Sequence, residues 1–124
     1  MKTHARENAA YIVLEGDLDL SRKSEIVAAL PAPASVSSVV INLSRATYID
    51  SLVMGALVQF RREFIRSGGN PADVAIMLRG DSAVRRAFEL TGLTRLFAIA
   101  YVELPPGEPQ ERVATTTPNA KAPI

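Results

Sequence analysis

Apolar and polar positions in this chain alternate between short β-branched runs and longer stripes at helical spacing. Ala10-Tyr11-Ile12-Val13-Leu14-Glu15 reads as a strand. Residues 1–9 before it either add an edge strand or stay loose. Gly16-Asp17-Leu18-Asp19-Leu20 turns the chain. Ser21 is placed to cap a helix reaching about Leu30, with Leu20, Ile26, Val27 and Leu30 as its buried side. Pro31-Ala32-Pro33-Ala34 ends it, because proline cannot continue a helix. Val39 to Leu43 is the second strand, and the loop Ser44 to Ile49 leads to the longest helix, Ser51 to about Arg66. On that helix Val53, Ala56, Leu57, Phe60 and Phe64 form one stripe. Gly55, Gln59, Arg62 and Arg66 lie opposite, and Leu52, Met54 and Val58 fall on the flanks. Gly68 is placed as the residue after the helix end. Val74 to Leu78 is the third strand. Asp81 or Ser82 caps a third helix with apolar Val84, Phe88 and Leu90; Gly92 closes it. Leu96 to Val102 is the last strand.

This order, strand and helix in alternation, predicts an α/β fold with a mostly parallel sheet of four to five strands and right-handed crossovers. Each helix carries a single apolar stripe, which suits helices packed mainly on one face. From Pro105 the composition changes: prolines at 105, 106, 109, 118 and 123 stud a polar stretch. The expected division is a single domain over residues 1–104 and a Pro-rich polar tail over 105–124 that need not fold.

Composition narrows the chemistry. The chain has 124 residues, 48% of them hydrophobic, enough for one core. No apolar run approaches the roughly 20 residues that span a bilayer, so no membrane insertion is expected. No apolar signal region follows the N-terminus, and a cytoplasmic location is expected. There are no cysteines and one histidine, His4, near a chain end. Thiolate catalysis, disulfides, a histidine metal site and a Ser-His-Asp triad are thereby set aside. The net charge of +1 gives no general attraction to nucleic acid. Arginines at 61, 62, 66, 85, 86 and 95 are interspersed with acids such as Glu63 and Glu89, the pattern of a solvated surface. Gly68-Gly69 follows a helix and precedes a strand, the wrong context for a phosphate-binding loop. Asp17, Asp19 and Asp50 lack a paired base or metal-ligand spacing. Neither an enzyme nor a cofactor is indicated.

Asp50-Ser51 remains. Either side chain suits a helix cap, since both accept hydrogen bonds from free backbone N–H groups. A serine hydroxyl at a helix start is also an exposed phosphoacceptor. Phosphorylation adds almost two negative charges and about three acceptor oxygens, and a helix N-terminus tolerates that charge. The fold would survive while an acidic partner surface would be repelled. Tyr48, in the preceding loop, reads as packed.

Three landmarks resemble the STAS family, the sulfate-transporter and anti-sigma-factor-antagonist domain. Gly16-Asp17-Leu18-Asp19 is similar to that family's Gly-x-Leu-Asp turn. Val40-Ile41-Asn42-Leu43 through Ile49-Asp50-Ser51 is similar to its strand, loop and Asp-Ser helix opening. Phe88-Glu89-Leu90-Thr91-Gly92-Leu93 is similar to its last helix and Gly-Leu ending. The resemblance implies an anti-sigma factor antagonist of the partner-switching type. It would bind an anti-sigma factor that is also a serine kinase, and a phosphatase would reset it. Ser51 then matches the phosphoacceptor, Asp50 the aspartate before it, Asp19 the turn aspartate beside the site, and Gly55 a glycine in the first helical turn. The usual Asp-Ser-Ser-Gly-Leu-Gly is here Asp50-Ser51-Leu52-Val53-Met54-Gly55, so Leu52 and Met54 are expected to join a more apolar docking patch. Two other readings stay open: a constitutive STAS scaffold or transporter subunit that uses the same face, and a small-ligand sensor with its ligand near Asp19 and Asp50.

Overall fold

The β-branched runs form four strands of one parallel sheet in a computed structural model that describes residues 8–103. These are β1 (Ala9–Val13), β3 (Ser38–Asn42), β5 (Val74–Arg79) and β6 (Ala98–Val102), in the spatial order β1-β3-β5-β6. A separate two-stranded parallel sheet pairs β2 (Gly16–Leu18) with β4 (Ala46–Ile49). The helices are α1 (Lys23–Ala29), α2 (Ser51–Arg66) and α3 (Ala83–Leu90). The tail over 105–124 lies outside the described residues.

The large sheet adds each new strand on the same side. A right-handed crossover between parallel strands places its helix on one face, and the face changes only when the sheet grows in the opposite direction. This sheet never reverses, so its helices share a face. Burial follows. Ala10, Ile12, Val39, Ile41, Val74, Ile76 and Leu78 point one way and are buried. Their alternates Tyr11, Val40, Ala75 and Met77 are only partly covered, and Ala98 and Ala100 are exposed. Phe60, Phe64, Phe88 and Phe97 fill the helix side of the core, with Phe60 stacked on Phe64 at a ring separation of 6.3 Å.

The helix ends follow the local rules. Ser82 caps α3 by accepting from the Arg85 N–H at 3.1 Å. At the C-terminus of α2 the Gly68 N–H donates to the Ile65 carbonyl and the Gly69 N–H to the Phe64 carbonyl, both at 2.9 Å. That pair of bonds needs a left-handed residue, and Gly68 supplies it at φ 99°. Gly69 is required for a different reason: a Cβ there would lie 2.3 Å from the Phe64 ring.

Several expectations need correction. The turn over residues 16–20 and the loop over 44–49 hold β2 and β4, strands too short to show a period. Ser21 is not a helix cap. Asp19 caps a 3-10 turn at Leu20–Arg22, and α1 begins only at Lys23. Leu20 and Val27 are exposed rather than buried. Short helices bury a narrow stripe, and in α1 Ile26 and Ala29 fill it. Tyr48 is exposed rather than packed, because β4 lies in the small sheet and presents Thr47 and Tyr48 to solvent.

Candidate functional site

The site stands where the two short strands end together. Leu18 and Ile49 are paired in register, and the Asp50 N–H donates to the Leu18 carbonyl at 3.2 Å. Asp19 and Asp50 therefore leave the small sheet side by side. Across the same pair the Thr47 hydroxyl donates to the Asp17 carboxylate at 2.5 Å.

Both aspartates are occupied as caps. Asp19 accepts from the Ser21 N–H at 3.1 Å and from the Ser21 hydroxyl at 2.6 Å. Asp50 accepts from the Leu52 and Val53 N–H groups at 3.0 and 3.1 Å, the free donors of the first turn of α2. Ser51 is the first residue of α2 and is exposed. Among the described residues no hydrogen bond engages its hydroxyl.

Arg22 holds the backbone beneath this pair. Its Nη1 donates to the carbonyls of Glu15 and Asp17, at 2.8 and 3.0 Å, and so ties the bend between β1 and β2. Gly16 makes that bend at φ 83°. The other edge of the guanidinium donates to both carboxylate oxygens of Glu25, at 3.1 and 3.0 Å. The bond to Arg22 holds the Glu25 carboxyl below its ordinary value, and the same bond raises Arg22.

Apolar side chains surround the helix start. Leu20, Tyr48 and Leu52 are each about half exposed, at 54%, 49% and 49%. Beyond Leu52 a groove of about 630 Å³ opens between α1 and α2, walled by Val27, Leu30, Pro31, Ala56 and Phe60. Gly55 lies in it, and a Cβ there would meet nothing within 4 Å. The missing side chain serves no internal packing; it keeps the groove open toward Leu52.

Of the residues singled out by sequence, Asp19, Asp50, Ser51, Leu52 and Gly55 lie on this one surface. Met54 does not: it is buried, one turn before Leu57 and Val58, where α2 meets the core. Leu20, Val27 and Tyr48 are surface residues that pattern reading assigned to the interior. No signal in the sequence marks them, since an apolar residue carries the same letter in a core and on a docking surface. Among the described residues no group of His, Cys, Asp or Glu side chains could hold a metal ion. No helix there is long and apolar enough to cross a membrane.

The family model of the STAS domain matches residues 1–104, most of the chain. The chain belongs to the STAS domain family. No curated protein matches it as a relative. In this STAS domain the Gly-x-Leu-Asp landmark is β2 with the Asp19 cap. The Asp-Ser landmark is the Asp50 cap with the free Ser51 hydroxyl, and β2–β4 pairing is what joins the two.

Proposed function

We propose that this STAS domain is an anti-sigma factor antagonist: a partner switch that binds an anti-sigma factor serine kinase while Ser51 is unphosphorylated and releases it afterwards. The observation that carries this reading is the division of labour at the start of α2. Among the described residues Asp50 alone caps the start of the helix, so the exposed Ser51 hydroxyl has no structural task. A phosphate there meets the positive end of α2, which keeps the fold intact. It also adds charge to a surface already holding Asp19 and Asp50, against which an acidic partner is repelled. The domain performs no chemistry of its own, and the partner's ATP supplies the phosphate. Leu20, Tyr48 and Leu52 give the apolar contact area, and Gly55 lets a partner approach the groove.

Mass spectrometry on protein isolated from its own cells tests this. The tryptic peptide from Ala46 to Arg61 contains Thr47, Tyr48 and Ser51. Phosphate on Ser51 that changes with growth condition is the expected result. A well-covered peptide that is unmodified under every condition sinks the switch. The half-exposed Leu52, where the family usually has a polar residue, favours one second reading: a constitutive scaffold or transporter subunit held by apolar contacts. Partner affinity indifferent to Ser51→Asp would select it.

A further inference from the structure

The large sheet ends on β6, and that edge carries a feature unrelated to the Ser51 surface. β6 pairs with β5 on one side, and among the described residues no strand pairs with its other side. The Val102 carbonyl accepts from the Gly80 N–H at 3.1 Å, on the β5 side. In a strand the N–H and C=O of one residue point the same way, and that direction alternates from residue to residue. Val102, Ala100 and Ala98 therefore turn their backbone groups toward β5, and Ile99 and Tyr101 turn theirs outward.

Proteins guard such edges with lysine, proline, a bulge or a covering segment. β6 has none of the first three. It reads Ala98-Ile99-Ala100-Tyr101-Val102, without charge or proline, and its pairing with β5 runs unbroken from Ala75 and Ala98 to Arg79 and Val102. Its side chains fall on two faces. Ala98, Ala100 and Val102 share the open face with Ala75 and Met77, and both alanines are exposed. Ile99 and Tyr101 share the helix face with Ile76 and Leu78. Tyr101 is half exposed, with the Arg85 guanidinium 4.9 Å over its ring.

We propose that the β6 edge pairs with the β6 edge of a second copy of this chain, antiparallel about a two-fold axis at Ala100. Outward backbone groups must meet outward groups, so the hydrogen-bonded pairs are Ile99 with Tyr101 of the second copy and the reciprocal pair. This register matches the whole length of β6 to itself. On the helix face it sets isoleucine against tyrosine, a favourable cross-strand combination. On the open face it sets Ala98 against Val102 and Ala100 against its own copy, so nothing bulky meets on the axis. The charges agree with this direction. Arg95 precedes β6 and Glu103 follows it, so antiparallel pairing brings each acidic end toward the basic end of the second copy. The two four-stranded sheets join into one, with the helices of both copies on the same face. Nothing in this pairing involves Ser51.

Sedimentation velocity of the full chain tests the proposal, and a reversible monomer–dimer equilibrium is expected. Ala100→Lys and Ala100→Glu each place like charges on the axis and weaken the association by about fivefold or more, and mixing the two variants restores it. The chain has no cysteine, so one introduced thiol reports the register. Ala100 would face its own copy as a pair without mutual hydrogen bonds, its Cα atoms about 4.5 Å apart, within the range of a disulfide. Oxidation of Ala100→Cys with diamide therefore gives a linked dimer, whereas Ala98→Cys, which faces Val102 of the second copy, gives little. Hydrogen exchange at the Ile99 and Tyr101 amides slows as concentration rises, while Ala98 and Ala100, bonded to β5 in both states, keep their rates. A chain that is monomeric at every concentration, equal cross-linking of the two cysteine variants, or a Lys–Glu mixture no better associated than either variant alone overturns the proposal. So does protection of Ile99 and Tyr101 that ignores concentration, which would assign the edge to another segment of the same chain.

Discussion

Asp50 and Ser51 are neighbours with separable tasks, and substitution distinguishes them. Asp50→Ala removes the side chain that caps the N-terminus of α2, and a stability loss of about 0.5–2 kcal/mol is expected in chemical denaturation. Ser51→Ala removes a hydroxyl that has no partner among the described residues and should leave the midpoint within about 0.5 kcal/mol of the wild type. The proposed switch adds a binding prediction: Ser51→Ala keeps partner affinity, whereas Ser51→Asp weakens it. Equal affinities for the two variants would refute the switch while leaving the cap assignment intact. Gly55 and Gly69 give an opposed pair. Gly55→Ala gains helix propensity of about 0.5–1 kcal/mol, because its Cβ enters open space. Gly69→Ala drives a methyl group into the Phe64 ring and lowers the thermal midpoint. Thermal unfolding of both variants should show shifts of opposite sign.

The bend between β1 and β2 depends on a side chain that comes from the turn before α1. Arg22 satisfies the Glu15 and Asp17 carbonyls, and its loss leaves both without that donor. Arg22→Ala should cost about 1–3 kcal/mol. A smaller share is pH-dependent. Glu25 has its pKa lowered in the folded state, so its share is present above the unfolded value and fades as pH falls through the folded one. Glu25 is solvated, which limits that share to a few tenths of a kcal/mol. Denaturation at neutral and at acid pH should therefore find most of the Arg22→Ala cost at both. A cost confined to neutral pH would assign the role to the ion pair instead of the carbonyls.

At the scale of the molecule, the parts with a long period were legible and the short ones were not. The bounds of α2 could be read directly, because five apolar residues recur over about three turns and Gly68 stops them. The parallel sheet followed from the alternation of elements, and one-sided helix packing from stripes that later proved to reflect a sheet growing in one direction. β2 and β4 were missed because three and four residues cannot establish alternation, and their stability comes from each other. Without that pairing, Asp19 and Asp50 are 31 positions apart with no evident link. The site could be suspected from family resemblance, but its assembly needed the fold. Phe88, fully buried between α3 and the sheet, anchors the far end of the core. Phe88→Ala should cost about 3–5 kcal/mol, a large share of a stability of order 5–15 kcal/mol. A loss below about 1 kcal/mol in urea unfolding would contradict this packing.

The cap at Asp50 also frees the residue that follows it. Serine, threonine, alanine or aspartate at position 51 can all begin the same helix, since none is asked to hold it. Under the proposed switch, one codon change would convert a responsive copy of this gene into one locked in a single state, and the protein would still fold. Duplicated copies of such a domain can diverge in regulation before they diverge in architecture.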